Sequence, residues 1–204
     1  MRKIKIVFIV FILSFCITQA EEAKSVAFKM GCAVGDYEFR DVYGTGLQLG
    51  LIYENKLSKN FYSQVELNIM NFLKSGDKLF STSSLKAIDL TYDLKFGVNK
   101  RQKSPSPYIG IAAYGEYDFG DLFLSANYKY VFDGHVFNQV PSSYNYKQNS
   151  LFFAGVKPSV GFMFPLGENY SLAFDYTYAW QILENKDYVK HNYSYVSFSL
   201  FKLK

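Results

Sequence analysis

YSLAFDYTYAWQI, residues 170–182, alternates two unlike sets of side chains. Tyr170, Leu172, Phe174, Tyr176, Tyr178, Trp180 and Ile182 form one series, and Ser171, Ala173, Asp175, Thr177, Ala179 and Gln181 form the other. A period of two is the mark of a strand with one apolar and one polar face. Which of the two faces meets water decides the architecture.

The pattern recurs along the chain. Val26, Phe28, Met30, Cys32 and Val34 alternate with Ala27, Lys29, Gly31 and Ala33, and Leu47, Leu49 and Leu51 with Gly46, Gln48 and Gly50. Residues 61–73, 87–98, 108–119, 151–164 and about 191–202 repeat it, which makes eight predicted strands with 170–182. Several reach ten residues or more, whereas globular strands average five or six and membrane-spanning ones need about 9–11. Short connections at 54–60, 99–107 and 165–169 contrast with a long segment at 119–149. Short turns at one end and longer loops at the other fit an all-β, antiparallel up-and-down transmembrane barrel. Within the long segment, Leu122, Leu124, Ala126, Tyr128 and Tyr130 alternate with Ser125, Asn127 and Lys129, so one arm of a hairpin above the barrel is expected. A further strand near 135–147 would give ten strands instead, since single-chain bacterial barrels have even strand numbers.

The ends and totals agree with this. Arg2, Lys3 and Lys5 precede the apolar run IVFIVFILSFCI, and Ala20 supplies a small residue at its end. The run is too short to span a bilayer as a helix and has the parts of a secretory signal peptide, residues 1–20, leaving 21–204 as the barrel domain. An uncleaved anchor, or lipid attachment through Cys16, fits these flanks less well. Three of the 22 Lys and Arg lie in that segment, and the remaining 19 nearly balance 18 acids. Such a balance argues against a nucleic-acid-binding face. Cys32 is the single cysteine after residue 20, so no internal disulfide holds the domain. Aromatics, mostly Tyr and Phe, are abundant, as strands favour.

The composition of the two faces separates a soluble barrel from a membrane one. The polar series is rich in Gly, Ala, Ser and Thr, which suit a narrow eight-stranded interior that leaves room for side chains alone. The apolar series carries almost no charge. Leu172, Phe174, Tyr176, Ile88, Leu90, Leu94 and Phe162 are therefore expected to face lipid, with Tyr170 and Trp180 in the interfacial girdles. Glu66, Asp89, Asp93, Lys95, Glu116, Lys157 and Asp175 fall on the inward face, where paired charges would plug the lumen and leave no open pore.

Motifs for chemistry are thin. The glycines of GTGLQLG, 44–50, continue inside a strand pattern with no helix following, which excludes a dinucleotide-binding turn. Asp89 and Asp93 share a face but lie about 13 Å apart along a strand, beyond the range of a glycosidase pair. His135 and His191 are the only histidines; His191 and Ser194 differ by an odd number of positions, which sets them on opposite faces of a regular strand. No metal site, cofactor or catalytic residue is expected. Phe132, Phe137, Tyr144 and Tyr146, among Ser and Asn residues of the long segment, are candidates for an external contact surface.

The stretches PYIGIAAYGEYDF (107–119), AGVKPSVGFMFPLGENYSLAFDYTYAW (154–180) and YSYVSFSLFKLK (193–204) resemble the eight-stranded OmpA/OmpX-like barrels and related bacterial surface antigens. Residues 154–180 are similar to the penultimate hairpin of that group. The resemblance implies a bacterial outer-membrane location, insertion by the barrel-assembly machinery, contact with membrane lipid, and loops open to host or environmental ligands. Barrels of this group commonly end on an aromatic residue, whereas Phe201 here is followed by Lys202, Leu203 and Lys204. A structural envelope protein or adhesin is the first expectation; a lipid-modifying enzyme and a soluble lipocalin-like carrier are the alternatives. If Leu172 and Phe174 face lipid at mid-bilayer, Leu172→Arg or Phe174→Arg lowers stability in reversible lipid-refolding experiments by about 2–4 kcal/mol. Thr177→Ser on the other face has little effect in the same measurement.

Overall fold

The computed structural model describes residues 25–36, 43–73, 84–97, 104–132, 137–183 and 192–202, with the backbone alone at Leu73, Ser84, 121–129 and 137–150. The expected signal peptide, 1–20, lies outside the described residues. Eight strands follow in order: β1 Ser25–Gly35, β2 Thr45–Ser58, β3 Phe61–Leu73, β4 Ser84–Phe96, β5 Ser106–Phe132, β6 Phe137–Leu166, β7 Tyr170–Gln181 and β8 Tyr193–Lys202. Each pairs antiparallel with the next, and β8 returns to β1, closing the sheet without a crossover. The connections β2–β3, β4–β5 and β6–β7 share one end with the start of β1 and the end of β8. We refer to this as the turn end and to the opposite rim as the loop end.

The ten-stranded alternative is overturned. Residues 122–132 and 137–147 add no staves of their own, because they prolong β5 and β6. Strand β5 pairs with β4 only as far as Leu85 opposite Gly120, and β6 pairs with β7 only from Gly155 opposite Gln181. Beyond those points the two arms pair with each other, from Asp121 opposite Gln148 to Phe132 opposite Phe137. The result is a two-stranded ribbon roughly 40 Å long beyond the loop-end rim, at about 3.3 Å per residue. Its register shifts between Phe123 and Ser125 and between Asn127 and Tyr128. Each such irregularity locally increases twist and interrupts strict alternation.

The period-two pattern is resolved in favour of an apolar exterior. Phe28 is 73% exposed, Leu49 63% and Ile109 64%, whereas Asp89, Asp118 and Ser197 are fully buried. A barrel with that polarity keeps its polar side chains out of bulk water and turns its hydrocarbon outward. The interior is crowded enough that glycine is required where large rings cross the lumen. A Cβ on Gly46 would lie 2.5 Å from Cδ1 of Phe72, the residue paired with it on β3.

Gly120 has a different role. It adopts φ +118 at the last β4–β5 pair, where β5 leaves the barrel wall for the ribbon. Side chains with a Cβ rarely accept that conformation. Gly120→Val should therefore cost about 1–3 kcal/mol, read as a lower urea midpoint in lipid vesicles, as expected for one strained backbone position.

Candidate functional site

Inside the barrel the sequence builds three layers. At the turn end Ala27, Ile52, Tyr62, Tyr108, Met163, Ala173 and Phe201 form a buried apolar cluster. At the loop end another cluster includes Tyr43, Met70, Phe72, Leu85, Tyr114, Tyr193 and Tyr195. Phe72 and Tyr193 meet edge to face there, with centroids 5.4 Å apart. Between the two lies a charged layer, and it is organised around three lysines.

Lys29 Nζ is 2.7 Å from Glu66 Oε2, and Lys157 Nζ is 2.7 Å from Asp89 Oδ2. Lys95 Nζ is 2.9 Å from Asp175 Oδ1 and 3.7 Å from Asp93 Oδ2. Each ammonium also stands over a tyrosine ring: Lys29 over Tyr195 at 5.1 Å, Lys95 over Tyr108 at 4.8 Å, and Lys157 over Tyr114 at 4.3 Å. A desolvated cation gains from both partners, so the unit of the layer is a carboxylate, a lysine and a tyrosine face. The shortest pairs run β1 to β3, β4 to β7 and β6 to β4. None joins strands that are neighbours in the sheet, so these pairs brace the wall across the lumen, where backbone hydrogen bonds cannot.

Some of the remaining acceptors are engaged by neutral donors, whereas Glu66 Oε1, Asp93 Oδ1 and Asp175 Oδ2 are buried without a hydrogen bond. Asn68 Nδ2 and Thr91 Oγ1 each donate to Asp89 Oδ1 at 2.8 Å. The Tyr108 hydroxyl donates to Asp175, and the Tyr193 hydroxyl donates to Glu116. All seven inward residues named from the sequence (Glu66, Asp89, Asp93, Lys95, Glu116, Lys157 and Asp175) thus lie on the buried face. Glu54 joins them and is missed by a reading that ends the strand before it. Strand β2 runs on to Ser58, and Glu54 accepts from Ser25 Oγ at 3.0 Å and Gln64 Nε2 at 2.7 Å. The parity of Ser197 and Ser199, carried back along β8, is the signal that places Tyr193 and Tyr195 inside as well.

Leu172, Phe174, Tyr176, Ile88, Leu90, Leu94 and Phe162 stand on the outer face, exposed or half-buried. Tyr170 and Trp180, both largely exposed, occupy opposite ends of β7, Tyr170 at the turn end and Trp180 toward the loop end. Cys32 is exposed on the same outer face. Of the proposed contact aromatics, Phe132 is 57% exposed beside exposed Tyr130 and Val131, at the end of the β5 arm. The side chains of Phe137, Tyr144 and Tyr146 lie outside the described residues, as do His135 and His191. Ser194 shares a hydrogen bond of 3.1 Å with the Tyr176 hydroxyl on the exterior. Among the described residues no group of His, Cys and carboxylates could hold a metal ion.

No protein-family model matches the chain, and no curated protein matches it. Among solved structures the chain is similar to Neisserial surface protein A, with a TM-score of 0.59 and 13% identity, covering 90% of this chain and 99% of that one. Likeness falls to a TM-score of 0.46 and 11% identity for Ail, the attachment invasion locus protein of Yersinia pestis, over 90% of this chain and 99% of that one. For the N-terminal barrel domain of Pseudomonas aeruginosa OprF the values are 0.45 and 8%, over 89% and 98%. The closed eight-stranded antiparallel barrel is thus the fold shared with Neisserial surface protein A.

Removing one member of a buried ion pair strands the other. Lys157→Met should cost about 3–5 kcal/mol in vesicle unfolding, and the double variant Lys157→Met/Asp89→Leu should recover a large part of it. Equal losses in the single and double variants would contradict the bracing role.

Proposed function

We propose that this chain is an integral barrel of a bacterial outer membrane whose ribbon is the contact surface offered to host or environmental molecules at the loop end, in addition to a structural role in the envelope. The observation that carries the reading is the inverted polarity. A continuous outer band of exposed Phe, Leu, Ile and Val surrounds a buried charged layer in which each of three lysines is ion-paired. Contiguous apolar patches of that kind are rare on soluble monomers, and a lipid-facing band between aromatic girdles accounts for this one. A soluble carrier would need the opposite arrangement, with a ligand cavity inside rather than two apolar clusters and an ion-paired layer.

The barrel interior is closed to solutes in this reading, and its carboxylates serve the wall rather than a substrate. They sit between the two clusters, and Asp89, for one, is held by lysine, asparagine and threonine donors. What the fold presents outward at the loop end is the ribbon, with exposed Tyr130, Val131 and Phe132 at the end of one arm. Large rings among adaptable polar residues make effective contact surfaces.

Two measurements test the two halves of the reading. The full chain extracted from membranes in detergent should migrate differently with and without boiling, and boiling should remove its β-type circular dichroism. A chain recovered as a soluble protein with no such shift would overturn the membrane reading. Residues 121–148 can then be replaced by an Asn-Gly turn between the register partners Gly120 and Asn149. That variant should keep the mobility shift while bacteria expressing it lose attachment to host cells or matrix. Attachment at the wild-type level would overturn the contact role of the ribbon.

A further inference from the structure

The outer face differs from one side of the barrel to the other. On β7, β8, β1, β2 and β3 the register aligns outward side chains into two rows that cross five strands. Leu67, Leu51, Phe28, Leu200 and Leu172 form one row, each the partner of the next. Ile69, Leu49, Met30, Phe198 and Phe174 form the other in the same way. The rows are two residues apart along every strand, so roughly 7 Å of wall separates them. At the β7 end of the second row the rings of Phe174 and Phe198 meet edge to face, with centroids 5.1 Å apart.

Between the rows runs a groove of about 590 Å³, lined by side chains of both and floored at the register partners Lys29 and Gly50. Lys29 turns its side chain inward to Glu66 and Gly50 has none, so the floor is backbone. That volume falls within the range of ligand sites, roughly 300–1,000 Å³, which normally add a few polar side chains to orient what they bind. Every side chain along this groove is apolar, and the backbone of its floor is engaged in the sheet. The groove therefore fits a chain without polar atoms. Across the barrel, on β5 and β6, short side chains interrupt the rows: Pro158 is the partner of Ile111, and Ala113 is the partner of Val156.

We propose that this groove holds one acyl chain of a bilayer lipid, laid across β3, β2, β1, β8 and β7. The inference rests on the membrane-spanning reading and deepens it, by naming one place on the outer face where a lipid chain is held rather than merely met. Inside hydrocarbon no hydrophobic force drives such binding, so the gain is the van der Waals contact of a chain touched on three sides instead of one. The groove is continuous with the exposed apolar band, which puts it in reach of the surrounding leaflet. A second copy of the barrel would present a convex wall, which would touch the two rows and leave the floor uncovered.

Photolabelling of the full chain tests this, in vesicles of palmitoyl-oleoyl-phosphatidylcholine with a trace of phosphatidylcholine carrying a diazirine at mid-chain. Folding is checked by the boiling-dependent mobility shift, and labelled residues are mapped by mass spectrometry. The labelling of each residue is divided by that of the boiled chain in detergent, which removes differences in intrinsic reactivity. Phe28, Met30, Leu49 and Leu67 should then be labelled about threefold or more above Ile109, Ile111 and Val160, exposed residues of the opposite wall. Leu49→Trp/Leu51→Trp, which fills the groove, should bring Phe28 and Phe198 down to the level of the opposite wall. Ile109→Trp/Ile111→Trp should leave them unchanged. If the groove variant does not fold, the wild-type map carries the test alone.

Equal labelling of the two walls in the folded wild type would overturn the proposal and leave the membrane reading intact. So would labelling of Phe28 and Met30 below that of the opposite wall, the pattern of a face covered by a second copy. Undiminished labelling of Phe28 and Phe198 in the folded groove variant would also overturn it. A folded chain labelled on neither wall would overturn both readings.

Discussion

Pairing between the first and last strands, from Ala27 opposite Phe201 to Gly35 opposite Tyr193, closes the sheet, and the rest of the molecule depends on it. An open eight-stranded sheet would leave two edges of unpaired backbone N–H and C=O groups. In hydrocarbon each such group costs several kcal/mol, so an apolar exterior is tolerable only on a closed wall. Closure also creates an interior, and the side chains facing it can no longer reach bulk water. Every charge on that face must then find its partner within the lumen. The lysine–carboxylate–tyrosine units follow from this requirement, as do the two apolar clusters that cover them.

Closure explains why the ion pairs cross the lumen. Neighbouring strands are already locked by backbone hydrogen bonds, so a pair such as Lys157 with Asp89 fixes the distance between walls instead. Tyr114 and Tyr195 link the charged layer to the loop-end cluster, because their rings both pack with that cluster and lie beneath Lys157. The ribbon is the one part of the sheet that escapes these constraints. Between Gly120 and Asn149 its arms pair with each other alone, so their sequence is released from the demands of the lumen.

Much of the wall was legible in the amino-acid sequence because a strand embedded between two unlike environments must alternate. The apolar parity of 26–34, 88–96 and 170–182 is the outer face of β1, β4 and β7, and the inward charges follow from the same parity. What parity cannot give is the partner. Asp89 with Lys157 and Asp175 with Lys95 are separated by 68 and 80 residues, and only the radius and stagger of the closed barrel bring them together. Parity also misleads where hydrophobic residues turn inward. Met70 and Phe72 have the composition of outer residues, yet they belong to the loop-end cluster, opposite Gln48 and Gly46. Glu54 keeps the inward parity of Gln48, but it was hidden because apolar Ile52 also turns inward, so Leu51, Ile52 and Tyr53 read as an unbroken apolar run just before it. The alternating stretch 122–130 signalled a strand, but nothing local distinguishes a new stave from the prolongation of an existing one.

The central claim is that the exposed apolar face meets lipid, and the chain carries a single tryptophan placed to report on it. Trp180 is 57% exposed on the outer face, toward the loop end of β7. Its fluorescence can be measured in vesicles of lipids brominated at successive acyl positions, alongside quenching by aqueous iodide. The account predicts strong quenching by bromines near the headgroup end of the chains, weaker quenching by deeper ones, and little by iodide. Quenching by iodide with no response to any brominated lipid would place Trp180 in water and contradict a lipid-facing exterior.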